Sequence, residues 1–167
     1  QFRHRIFLGV GWFGQYRIIN FMFRLYIDAD ACPKPVKELL FKTSFRVKIP
    51  LILVANSYIN TPPTDLIKHV MVKAGTDIAD QYIIDHVAPN ELVITADIPL
   101  AAKVVEKGAI ALNPRGEIYD EDNIGEILSM RNFMKELRDG GSVTGGPAGF
   151  GARDIQEFAN SLNQLLS

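Results

Sequence analysis

The stretch that decides the fold is RLYIDADACPKPVKELL, Arg24 to Leu40. Leu25, Tyr26 and Ile27 form a short apolar, β-prone run that stops abruptly on Asp28 and Asp30, with the lone thiol of Cys32 close behind. Pro33 and Pro35 then fall in the first turn of a helix, where a missing N–H costs nothing, and Val36, Leu39 and Leu40 share one face. A strand that ends on acids and passes directly into a helix is the opening unit of an α/β fold. It also delivers carboxylates to the edge of a sheet.

The same alternation continues outward from this unit. IPLILVA, Ile49 to Ala55, is apolar on both pleat faces, as a buried parallel strand is, and a polar turn with Pro62 and Pro63 follows. HVMVK is a shorter third strand, and Asp77 to Val87 reads as a helix. ELVITAD supplies a fourth strand, IPLAAKVVEKG a helix with an early proline and a closing glycine, and AIALNP a fifth strand. The pattern predicts a parallel sheet of about five strands with helices on both faces. From Asn123 to Leu137 the apolar residues Ile124, Ile127, Leu128, Met134 and Leu137 recur at helical spacing, with Arg131 inside the stripe and Arg138 a heptad further on. Asp139 to Arg153 is too glycine-rich for one regular structure and reads as a flap or a linker. A last helix opens at Asp154, with Glu157 three residues later, and turns Ile155, Phe158, Ala159, Leu162 and Leu166 to the core.

At 167 residues, 47% of them hydrophobic, the chain has material for one sizeable core. Eighteen basic residues against 19 acids give a formal charge of −1, so there is no molecule-wide basic field and a polyanion would need a local patch. A single cysteine excludes an internal disulfide and a cysteine-based zinc site, and fits the reducing cytoplasm. Residues 1–21 carry basic residues and a short, glycine-interrupted apolar patch, with neither the cleavage site of a signal nor the length of a membrane span. They read as an extension ahead of a single domain, 22–167, that starts at Met22.

In an open parallel sheet, ligands bind beyond the carboxyl ends of the strands where the strand order reverses. Asp28 ends the first strand and Asp97 the fourth, so in the order 3-2-1-4-5 they converge at that point. Asp77 and Asp80 sit three residues apart at the head of the intervening helix and share a face. Carboxylates gathered in one crevice repel unless a cation joins them, and all-oxygen ligation suits Mg²⁺ or Mn²⁺. Each acid also has a plainer role available, as an N-cap or a partner of a helix dipole, and for Asp77 and Asp80 taken alone capping is the favoured one. Cys32 reads as a small buried hydrophobe, and His69 and His86 lack metal-ligand spacing. Arg131, on an otherwise apolar face, needs an anion: either an internal carboxylate or a ligand in the crevice.

YIDADACPKPVK, GTDIADQYI, LVITADIPLAA, LNPRGEIY, NIGEILSMRNFMKELR and TGGPAGF together resemble, in order from about Arg24 to the C-terminus, the YaiI/YqxD family of bacterial proteins. That family is grouped with the PIN-like domains, commonly metal-dependent ribonucleases. The resemblance implies a three-layer α/β/α sandwich around a parallel sheet, with acids after the first strand, on a central helix and after the fourth strand. Here these are Asp28, Asp77 and Asp97. Members of the related NYN group often carry another aspartate two residues after the last of these; this chain has Pro99 there, and Asp80 or Asp30 would have to substitute.

The expectation is therefore a PIN-like domain hydrolysing phosphodiesters in RNA, with Asp28, Asp77 and Asp97 holding Mg²⁺ or Mn²⁺ and Asp80 completing the site. Arg115, Arg131, Arg138 and Arg153 are the candidate phosphate contacts, since the arginine fork matches phosphate oxygens. No membrane partner is expected. The alternatives are a PIN-like RNA- or protein-binding module without turnover and, less favoured, a phosphatase of the haloacid dehalogenase type. The latter is suggested by the Asp-x-Asp of YIDAD and opposed by Ala101 where a later acidic pair should fall.

Overall fold

The computed structural model describes residues 23–141, 144–146 and 148–167. The expectation for residues 1–21 lies outside them, as do Ser142, Val143 and Pro147 of the glycine-rich segment. Strands β1 (Leu25–Asp28), β2 (Leu51–Ala55), β3 (Ile67–Met71), β4 (Leu92–Ile94), β5 (Ile110–Leu112) and β6 (Ile118–Tyr119) form one sheet in the order β3-β2-β1-β4-β5-β6. Every pairing is parallel except β5 with β6. The five strands expected from the sequence keep their order, and β6 is an addition: two residues folded back on β5 through the turn at Asn113–Gly116.

Helices α1 (Lys34–Val47) and α5 (Ala152–Leu166) cover one face, and α2 (Ile78–His86), α3 (Ile98–Glu106) and α4 (Ile124–Asp139) lie on the other. The pleat explains the division, because successive strand residues point to opposite faces. Leu25, Ile27, Leu51 and Leu53 pack with Val36, Leu40, Phe158 and Leu162. Tyr26, Ile52, Val54 and Val93 pack with Ile83, Leu100 and Val104. These interior strands are buried on both sides, which is why they read as continuous apolar runs.

Two helices differ from the sequence reading. The last helix begins at Ala152, with Gly151 as its N-cap; Asp154 sits in the first turn and accepts a hydrogen bond from the Gly151 N–H at 2.8 Å. The acid closes back on the cap residue from inside the helix, as the reciprocal arm of a capping box does. In α4 the apolar stripe is only half-covered: among its described residues none is fully buried, and Met130 and Phe133 stay exposed.

Beside β4, Glu91 is buried and gathers four donors: the Arg24 and Ala88 backbone N–H groups, at 2.9 and 2.8 Å, and two nitrogens of the Arg24 guanidinium. The pair ties the start of β1 to the start of β4, the two strands that frame the site. Its hydrogen bond to Glu91 also raises the Arg24 pKa. Glu91→Gln turns an amide against donors that need an acceptor, and we expect a loss of about 2 kcal/mol, measured as a lowered urea midpoint with unchanged slope.

Candidate functional site

Strands β1 and β4 are neighbours, and the sheet reverses direction between them, so the crevice beyond their carboxyl ends is the switch point of the fold. Asp28 lies one residue past Ile27 and shares the pleat face of Tyr26, which turns it towards α2 and α3. Asp97 stands three residues beyond the end of β4, further out than its place at the close of ELVITAD suggested, and is the N-cap of α3: its Oδ1 accepts from the Leu100 N–H at 3.0 Å. Asp80 occupies the first turn of α2, and Asp77 is the cap residue before it, in a left-handed conformation at φ 63° with no side-chain capping bond. The capping role weighed for Asp77 is thus not made by its carboxylate.

A crevice of about 340 Å³ opens here, and its walls include Asp77, Asp80, Asp97, Lys103 and Arg131. The acids feel one another. Burial, followed by the charges of Asp97, Asp28 and Asp77 and a hydrogen bond with Asp97, pushes the Asp80 carboxyl up to about 6. Burial also raises Asp28; a hydrogen bond from Thr95 opposes it, and the charges of Asp97 and Asp30 add to it. Among the described residues, no three His, Cys, Asp or Glu are already gathered as a ligand set.

Thr95 is the residue the sequence reading missed. Fully buried between β4 and α3, its hydroxyl donates to Asp28 Oδ2 at 2.9 Å and accepts from the Asp97 N–H at 3.0 Å. One side chain thereby sets the spacing of the two strand-end acids. A buried Thr at a strand end, two residues before an N-cap, was the only available signal, and it is the pattern of any strand-to-helix turn.

The remaining sequence candidates separate. Arg131 lines the crevice, as does Lys103. Arg115 is outside that wall, paired with Asp154 at 3.1 Å, donating to the Ala148 carbonyl at 2.6 Å and set over the Phe150 ring. It ties the end of the glycine-rich segment to the β5–β6 turn. Arg138 and Arg153 are exposed on α4 and α5, away from the crevice wall. Asp30, a possible substitute ligand in the sequence reading, uses its oxygens on Asn56 and Ser57. Cys32 is buried, and burial pushes its thiol up to about 12, the behaviour of a small core residue and not of a nucleophile.

The raised Asp80 has a measurable consequence. A carboxyl with a folded pKa near 6 and an ordinary unfolded value binds more protons in the folded state between those two values. The stabilisation from that proton is full below the unfolded value and is lost as pH rises through about 6. In EDTA, wild-type denaturation midpoints should fall from pH 5 to pH 7.5; Asp80→Asn, which removes the titration, should flatten that fall. An equal fall in the variant would place the pH dependence elsewhere.

The fold and the crevice define a class: a parallel three-layer α/β domain with an acidic cluster at the switch point of its sheet. Residues 26–167 match the family model described as "Uncharacterized BCR, YaiI/YqxD family". The chain is 57% identical over 144 residues to a UPF0178 protein of Shewanella baltica (strain OS155), covering 86% of this chain and 96% of the relative. UPF0178 proteins of Hahella chejuensis and Geobacter metallireducens are 55% and 54% identical over the same length, 86% of this chain and 96% and 93% of theirs. The chain belongs to the YaiI/YqxD family. No solved structure matches it. Among the described residues, no helix is long and apolar enough to cross a membrane.

Proposed function

We propose that the crevice binds a divalent cation, Mg²⁺ or Mn²⁺, and hydrolyses phosphodiester bonds in RNA, as the resemblance to PIN-like nucleases implies. The observation that carries this reading is the gathering of acids around Asp80. Its carboxyl is held up to about 6 by burial and by three neighbouring acids, at the switch point where such folds place ligands. A cluster of that kind is relieved by a proton or by a hard cation, and carboxylate oxygens are the donors that Mg²⁺ and Mn²⁺ prefer.

The donor chemistry fits the ion, with Asp28, Asp77, Asp80 and Asp97 as the residues that would hold it. A bound cation there supplies a Lewis acid that neutralises charge developing on the phosphate. Asp28 is not part of the crevice wall, but its charge reaches Asp80 and its carboxylate is held by the Thr95 hydroxyl; the cap bond of Asp97 to Leu100 N–H fixes that carboxylate on α3. Asp80, protonated below about pH 6 and ionised above, would hold the cation in its ionised form. Arg131 and Lys103, in the same crevice wall, would bind and orient the phosphate.

A second reading, a binding module without turnover, is favoured by one observation: the described residues hold no ready-made set of three ligands. Calorimetric titration with Mn²⁺, alongside cleavage of a panel of single-stranded and structured RNAs, decides between them. Metal binding with metal-dependent cleavage supports the hydrolase. Metal binding without cleavage of any RNA supports the module, and no metal binding removes both the ion and the hydrolase.

A further inference from the structure

A second feature stands on the same carboxyl edge of the sheet, outside the crevice. Asp30 accepts from the Asn56 N–H at 2.8 Å and from the Ser57 hydroxyl at 2.9 Å, which clasps the turn after β2 to the end of β1. The turn presents Tyr58, which is 73% exposed yet has an aromatic neighbour. Tyr58 meets the edge of His69 on β3 with centroids 6.0 Å apart and planes at 64°, and His69 Nε2 lies 3.2 Å from the Ser57 carbonyl. Lys37, on α1, reaches the same rim and donates to the Ala29 carbonyl at 3.5 Å.

Scattered exposed aromatics are ordinary and need no function. Tyr58 differs in following a turn that a carboxylate clasps at Asn56 and Ser57 and in pairing at a steep angle with an imidazole, with Lys37 held at the end of β1. The position is informative too. β2 is two strands from β4, about 10 Å at normal strand spacing. His69 shares the pleat face of Ile67, which packs on the α1 side, whereas Asp28 faces α2 and α3. Platform and crevice therefore flank the rim formed by the ends of β1 and β2.

We propose that Tyr58 is a stacking platform for a nucleobase of single-stranded RNA, with Lys37 meeting the adjoining phosphate as the strand crosses the rim towards the acidic crevice. The inference rests on the reading above for the fate of the phosphodiester, and concerns which substrate reaches it. An aromatic face accepts any unpaired base, whereas paired bases within a duplex keep their faces covered. The site would thus select strandedness without selecting sequence.

The test is fluorescence titration in EDTA with a ten-nucleotide single-stranded RNA carrying 2-aminopurine, whose emission reports stacking, beside a duplex of the same sequence. Wild type should bind the single strand in preference to the duplex and quench the probe. Tyr58→Ala should weaken binding roughly 5- to 150-fold and abolish the quench, whereas Tyr58→Phe should keep both. Tyr58 is exposed, so thermal melting of the variants should match wild type. Metal-dependent hydrolysis of methyl p-nitrophenyl phosphate, too short to span from the crevice to the platform, should be the same in wild type and Tyr58→Ala. Unchanged binding by Tyr58→Ala, absence of binding by wild type, or equal affinity for duplex overturns the platform. Tyr58-dependent binding with no hydrolysis of RNA or small diester supports the platform and overturns the hydrolase.

Discussion

Asp97→Asn should abolish Mn²⁺-dependent cleavage of single-stranded RNA while the protein melts close to the wild-type temperature. The substitution isolates charge from structure. Asp97 caps α3 by accepting from the Leu100 N–H, and asparagine is as good an N-cap as aspartate, so the helix keeps its first turn. The negative charge that would hold the cation is removed. The loss should be on the order of a hundredfold or more, about 2.7 kcal/mol of barrier, since placing a cation against the reacting phosphate carries several kcal/mol. Asp120 is unsuitable as the matched control, because its Oδ1 accepts from the Asp122 and Asn123 N–H groups and braces the start of α4. Asp65, exposed in the β2–β3 connection, serves instead. If Asp97→Asn binds Mn²⁺ as wild type does, Asp97 is only a capping residue and the cation is held by other groups. If Asp65→Asn loses as much activity, the effect is one of net charge.

Gly116→Ala should be the most destabilising single-methyl change in the β5–β6 region, costing about 3 kcal/mol or more and lowering the melting temperature by roughly 10 °C. Two independent penalties meet there. Gly116 has φ +102°, beyond the left-handed well that other residues can enter. A Cβ would also stand 2.7 Å from the Glu157 carbonyl carbon, which is helix backbone and cannot rotate away. Relief requires α5 to lift, which would break the 2.6 Å hydrogen bond from Ser161 to the Gly116 carbonyl. Gly125→Ala on α4 is the contrast: nothing lies within 4 Å of its Cβ, and it should gain about 0.5 kcal/mol. Equal melting temperatures for Gly116→Ala and wild type would show that α5 yields more easily than its packing implies.

The order of β1 to β5 was legible because β1, β2 and β4 are buried on both faces and announce themselves as unbroken apolar runs, and because each helix between the strands opens with a proline or an acid; the edge strand β3, which carries Lys68 and His69, is the weakest of the signals. β6 was not, since two residues carry no periodicity and Ile118 and Tyr119 pair only because the turn at Gly116 returns the chain. The convergence of Asp28 and Asp97 followed from topology, given the strand order. Their spacing did not, because it depends on the Thr95 hydroxyl, and a threonine at the end of a strand looks the same whether it bridges two acids or none. Arg115 shows the reverse difficulty. An arginine in a turn reads as available for phosphate, and only the fold reveals Asp154, 39 residues away in sequence, already against it.

Helix α5 closes the α1 face of the sheet, burying Phe158, Leu162, Leu165 and Leu166 against strands made more than a hundred residues earlier. On the ribosome, that face stays open until Leu166 has left the exit tunnel. At about 5–20 residues per second, β1 waits on the order of ten seconds for its cover. Until then the apolar strand faces that α5 covers stay exposed to water, and a truncation anywhere within α5 would leave that part of the sheet uncovered.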